Sequence, residues 1–96
     1  MEDFVHYNEL YDYYKGLLTD KQRQYFEEYF FNNLSFSEMA ENYDVSRNAM
    51  FKQIHIVMDK LDEYEKILQL KAKKEKILSI VDSCSDDVKK KIEDLL

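Results

Sequence analysis

Residues 34–61, LSFSEMAENYDVSRNAMFKQIHIVMDKL, read as two helices joined by a tight turn. Ser35 and, three residues later, Glu38 form a capping box, in which each side chain accepts a hydrogen bond from the other residue's orphan backbone amide. A helix therefore begins at about Phe36. Phe36, Met39, Ala40 and Tyr43 recur at helical spacing, and the small Ala40 lets a second helix cross closely. Asp44 and Val45 break the pattern. Val45 is expected to plug the core from the turn, and Ser46 to cap the next helix. That helix carries Met50, Ile54, Val57 and Leu61 inward and turns Arg47, Asn48, Lys52, Gln53 and His55 outward or along its margin. The pattern is that of a helix-turn-helix, whose second helix in a DNA reader enters the major groove.

Composition agrees with a helical fold. The chain has 96 residues, 45% hydrophobic and 15% aromatic, enough for one small core, and residues 1–96 are read as one helical domain. The helix-turn-helix core spans about 19–61 and a helical extension about 62–96. Proline is absent and Gly16 is the lone glycine, which removes most hairpin turns and predicts an all-α chain. The lone Cys84 has no disulfide partner and lacks the Cys/His companions of a zinc site, so neither metal nor cofactor is expected. No apolar run approaches the roughly 18–20 residues that span a bilayer, and no leader pattern is visible, so a cytoplasmic protein without membrane insertion is expected.

Outside the motif, Phe4, Tyr7, Tyr11, Tyr14 and Leu18 predict a first amphipathic helix over about Asp3 to Leu18. Thr19 and Gln22 repeat the capping-box signature and predict a second helix from about Asp20 to Asn32, with Tyr25, Phe26, Tyr29, Phe30 and Leu34 inward. Asn32 and Asn33 tolerate left-handed backbone and suit its end. After Ser46 no glycine or proline interrupts the chain before Ser83, so the long fourth helix reads as unbroken to about Asp82, roughly 55 Å at 1.5 Å per residue. Such a rod outreaches the domain. Its distal half, with Ile67, Leu70, Ile77, Leu78, Ile80 and Val81, must kink, pack on the first helix or pair with a second chain; contact with the tyrosine-rich first helix is expected, together with a homodimer. A short last helix from Val88 is expected to carry Val88, Ile92, Leu95 and Leu96 inward.

Charge bears on function. The net charge is −6, and residues 1–34 hold 3 basic and 7 acidic residues. Nucleic-acid binders usually lean the other way. Arg47, Asn48, Lys52, Gln53 and His55 have the chemistry for phosphate and base-edge contacts. Two cations beside Glu38, Glu41 and Asp44 also suit an ordinary polar face, with Arg47 paired to a carboxylate of the preceding helix. Lys71, Lys73, Lys74 and Lys76 form a dense basic patch that can meet RNA phosphates or an acidic protein, or be solvated. His6 and His55 lie on separate elements, Cys84 has no evident base, and no glycine-rich phosphate loop exists, so no enzyme is expected.

Leu18-Thr19, Lys21-Gln22-Arg23, Ser35, Glu38, Met39-Ala40-Glu41 and Val45-Ser46-Arg47 resemble the promoter-reading fourth region of bacterial sigma factors. Tyr11-x-Tyr-Tyr, Leu17-Leu18-Thr19, Val45-Ser46-Arg47-Asn48-Ala49 and Leu61-Asp62-Glu63-Tyr64-Glu65 together resemble the small YlxM-like bacterial proteins over about residues 8–70. At Met50-Phe51-Lys52-Gln53 the chain departs from the expected Val-Tyr and acidic-polar pair. The resemblance implies a regulatory protein of the signal recognition particle pathway that binds a particle component, protein or RNA. The alternative is a DNA-binding transcriptional regulator, dimeric so that two recognition helices reach successive groove turns. A third reading is a protein-interaction module without nucleic-acid contact.

Overall fold

The computed structural model describes residues 4–96; Asp3, the expected start of the first helix, lies outside them. Helices α1 (Phe4–Tyr14), α2 (Asp20–Phe26), α3 (Phe36–Tyr43), α4 (Arg47–Leu68), α5 (Leu70–Val81) and α6 (Asp86–Leu95) follow one another, with no strand among the described residues. This is the all-α architecture that the composition predicts. Both capping boxes form: the Gln22 amide donates to Thr19 Oγ1 at 3.1 Å and the Thr19 amide to Gln22 Oε1 at 3.0 Å, while Glu38 and Ser35 exchange bonds of 3.1 and 3.2 Å.

The first helix ends earlier than expected. A 3-10 turn over Lys15–Leu17 replaces its last turn, and Arg23 donates from Nη1 to the carbonyls of Lys15 (3.0 Å) and Leu18 (2.7 Å), tying that turn to α2. The second helix also departs from regularity. Over Glu27–Phe31 it widens to a π-turn, with the Asn32 amide donating to the Glu27 carbonyl at 3.0 Å. The wider turn seats three consecutive aromatics: Phe30 stacks on Phe26 at 4.2 Å, Tyr29 stacks on Phe36 at 4.6 Å, and Phe31 meets Tyr11 edge-on at 5.6 Å. Asn33, at φ 58°, turns the chain toward α3.

The core is built by α1 to α4. Leu10, Tyr11, Tyr14, Leu18, Phe26, Phe30, Met39, Ala40, Met50, Ile54, Val57, Met58 and Leu61 form one buried cluster. Val45 does not join it. At 45% exposure it sits outside the turn, because Asp44 closes the turn in the left-handed region (φ 54°) and the Val45 amide donates to the Ala40 carbonyl at 3.0 Å.

The long helix is broken, not continuous to Asp82. Gln69 adopts φ 54° and ψ 34°, ending α4, and α5 starts in a new direction without a local glycine, proline or side-chain cap. Tertiary groups supply the cap instead. The Leu70 amide donates to the Tyr14 hydroxyl (3.0 Å), and the amides of Lys71 and Ala72 donate to Glu65 Oε1 (3.1 Å) and Oε2 (3.2 Å). The same Tyr14 hydroxyl donates to Glu65 Oε1 at 2.6 Å, so the first helix holds the break in place. Contact between α1 and α5 follows, as expected.

The short α6 begins two residues before the expected Val88, at Asp86, with Ser85 accepting from the Val88 amide at 3.5 Å. The expectation that it faces inward fails: Val88, Leu95 and Leu96 are exposed and only Ile92 is half-buried. On α5 likewise Val81 is buried and Leu78 half-buried, whereas Leu70, Ile77 and Ile80 face solvent. Two helices this short have no third layer to cover them.

Candidate macromolecular interface

Ser46 caps α4 through its Oγ, which accepts from the Ala49 amide at 3.0 Å, and thereby sets the rotation of the helix at its first turn. With Met50, Ile54, Val57 and Leu61 inward, Arg47, Asn48, Lys52 and Gln53 are exposed as expected. His55 is half-buried at the margin, its Nδ1 donating to the Phe51 carbonyl at 2.9 Å and its ring 4.0 Å from that of Phe51.

Sequence reasoning missed the apolar part of this face. Phe51 and Ile56 stand 40% and 43% exposed among the polar residues. The 47–51–55 spacing puts Phe51 on the same helix face as Arg47 and His55 and was the signal available for it. The ring of Phe51 continues into α3 and α2, with centroids 5.4 Å from Phe36 edge-on and Phe36 in turn stacked on Tyr29. Arg47 does not pair with a carboxylate of α3. Its guanidinium lies 5.8 Å from the Phe36 ring centroid, a cation-π contact. The face is therefore a row of aromatic surface edged by Arg47 and Lys52.

The lysine patch on α5 is divided by the helical period. Lys71 turns toward α1 and pairs with Glu9 at 2.9 Å, a bond that holds its ammonium above the usual lysine range against the opposing effect of burial. Lys74 lies 5.9 Å over the Tyr13 ring. Lys73 and Lys76 are exposed on the opposite side, so the four lysines do not form one basic surface. With Glu9, Asp12, Tyr13 and Leu78, Lys71 and Lys74 line an open cleft of about 530 Å³ between α1 and α5, where positive and negative groups already face each other.

Much of the acidity at the front has structural partners. Tyr11 donates to Glu27 and Tyr43 to Glu28; burial first, then the carboxylate bond, pushes both phenols well above the ordinary tyrosine range. Tyr14 is shifted the same way, by burial and by its bond to Glu65. Asp62 accepts from the Tyr7 hydroxyl at 2.8 Å and lies 3.1 Å from His6 Nε2. Tyr7, Tyr11, Tyr14 and Tyr43 thus serve as hydrogen-bonded links between helices, each placing its hydroxyl on a carboxylate of another element.

Among the described residues no cluster of three or more His, Cys, Asp or Glu side chains could hold a metal ion, and no helix is long and apolar enough to cross a membrane. The capped α3–turn–α4 unit and its outward polar–aromatic face define a small helix-turn-helix protein. The chain belongs to the UPF0122 family, whose model, described as "Putative helix-turn-helix protein, YlxM / p13 like", matches residues 1–95. It is 42% identical to a UPF0122 protein of Halalkalibacterium halodurans over 86% of this chain and 76% of that one. A Mycoplasma capricolum relative is 41% identical over 84% and 72% of the two chains, and a Geobacillus relative 38% identical over 95% and 83%.

Proposed function

We propose that the protein is a non-catalytic cytoplasmic regulator that docks through the outer face of α4 and the adjoining edge of α3 onto a protein component of the signal recognition particle pathway. The pathway comes from the YlxM-like resemblance; the exposed Phe51, with Arg47 over the neighbouring Phe36 ring and Ile56 exposed further round α4, carries the choice of a protein partner. Aromatic and arginine side chains are the types enriched at the centres of protein interfaces. Arg47 and Lys52, beside Glu41, Asp44 and Asp59, supply few contacts for a phosphate backbone. A net charge of −6 favours encounter with a basic, RNA-binding protein.

A pull-down from the organism's own cytosol, with and without nuclease, tests this reading. The particle protein is expected to be retained after nuclease, and Phe51→Ala combined with Ile56→Ala is expected to lower retention at least about tenfold, the equivalent of about 1.4 kcal/mol. Loss of the partner on RNA digestion would assign the contact to RNA instead. The DNA-binding alternative is favoured by the exposure of Arg47, Asn48, Lys52 and Gln53 over the first turns of α4, where a recognition helix reads bases. It predicts protection of a short palindromic DNA with steep salt dependence, abolished by Arg47→Ala with Lys52→Ala. That result, without particle association, would replace the proposal.

A further inference from the structure

Asn33, Asp44 and Gln69 have left-handed backbone among the described residues. Asparagine and aspartate tolerate that region because their short polar side chains bond locally, whereas glutamine is a good helix former. No glycine or proline lies between Arg47 and Val81, so local preference favours one continuous helix across the break at Gln69.

Hydrogen bonds at the break are matched one for one. The amides of Gln69 and Lys73 keep their helical acceptors, the carbonyls of Glu65 and Gln69, each at 2.8 Å. Those of Leu70, Lys71 and Ala72 would meet the carbonyls of Lys66, Ile67 and Leu68 in a continuous helix. They donate instead to the Tyr14 hydroxyl and to the two oxygens of Glu65, at 3.0, 3.1 and 3.2 Å. Straightening therefore exchanges three side-chain acceptors for three backbone ones and releases Gln69 from an unfavourable conformation. Opposing it are the contacts of the docked arm: the Lys71–Glu9 pair, Lys74 over Tyr13, and the burial of Val81 with part of Leu78. We infer that the α4–α5 junction is a two-state hinge, closed with α5 on α1 and open with residues 47–81 as a single helix. Two packings of one sequence that lie this close in their bonding are the physical basis of a switch. Opening withdraws Lys71 and Lys74 from Glu9 and Tyr13, uncovers that side of α1, and carries α6 along with α5. The face of α4 over residues 47–56 stays on the helix-turn-helix body in both states, so the hinge stands apart from the docking reading above.

Pulsed electron–electron distance measurement on the full chain, spin-labelled at Lys52→Cys and Ser79→Cys with Cys84→Ser, reads the two states. Both label sites are exposed and flank the hinge. The span from 52 to 79 is about 40 Å in a continuous helix at 1.5 Å per residue, and shorter in the closed form because a bent path has the shorter chord. The chain with no further change is expected to give mainly the short distance. Tyr14→Phe keeps the buried ring and removes the cap on Leu70; it is expected to raise the ratio of open to closed about tenfold with helical circular dichroism unchanged. Adding Gln69→Gly, which suits left-handed backbone and disfavours helix, is expected to return the short distance. A short distance alone both with and without Tyr14→Phe overturns the hinge. A broad distribution with lost helicity in Tyr14→Phe also overturns it, since the arm would then fray instead of straightening.

Discussion

The helix-turn-helix body of α1 to α4 and the arm formed by α5 and α6 have similar shares of apolar residues to offer but use them differently. In the body every helix contributes side chains to one buried cluster, whereas in the arm Val81 alone is buried and the other large apolar groups are exposed or half-exposed. The difference teaches that helical spacing specifies a face without specifying what covers it. In the body four helices cross and cover one another. In the arm α5 has α1 and the short α6 against it, and together they bury Val81 alone.

Truncation should separate the two regions most strongly. Ile54→Ala, which empties part of the buried cluster, is expected to destabilise by about 2–5 kcal/mol, and Ile80→Ala, at a side chain 67% exposed, by less than about 0.5 kcal/mol. Denaturant unfolding followed by circular dichroism measures both, and similar losses would mean that the arm is part of the core. The joint between the regions comes next. Glu65 accepts bonds from Tyr14 and from the first amides of α5, so Glu65→Ala should cost about 2 kcal/mol. The loss should fall on the arm first, with α5 exchanging its amide hydrogens faster than the body, and Glu65→Gln should recover part of it.

A smaller effect concerns pH. Tyr11, Tyr14 and Tyr43 have folded-state values raised above the ordinary value of 10.0, and all three link the body or anchor the arm. Folding therefore holds their protons: the stabilisation is complete below pH about 10 and declines as pH rises through the folded-state values. Alkaline unfolding followed by tyrosinate absorbance should show these phenols ionising with the unfolding transition, and Tyr11→Phe should flatten the dependence. Independent ionisation of all tyrosines near pH 10 would contradict the role of the hydroxyl–carboxylate links.

Where local chemistry decides structure, the fold was legible. The Thr19–Gln22 and Ser35–Glu38 boxes, the Ser46 cap and the inward series Met50, Ile54, Val57 and Leu61 all use residues within a few positions of one another. The break at Gln69 was not legible, because its cap comes from Tyr14, 56 residues before Leu70 in the chain. The π-turn at Glu27–Phe31 was hidden for a related reason: it answers the crowding of Phe26, Tyr29, Phe30 and Phe31 against α1 and α3, a tertiary demand. At the site, the polar residues of the α4 face were readable from helical period, and Phe51 and Ile56 were obscured by the habit of assigning apolar residues to the core. The split of the α5 lysines was implicit in the same period, yet only the position of α1 decides which half is paired.

Hydrogen exchange resolved by helix bears most directly on this division of the molecule. The account predicts that α1 to α4 exchange slowly, while α5 and α6 exchange faster. Equal protection of body and arm would contradict it.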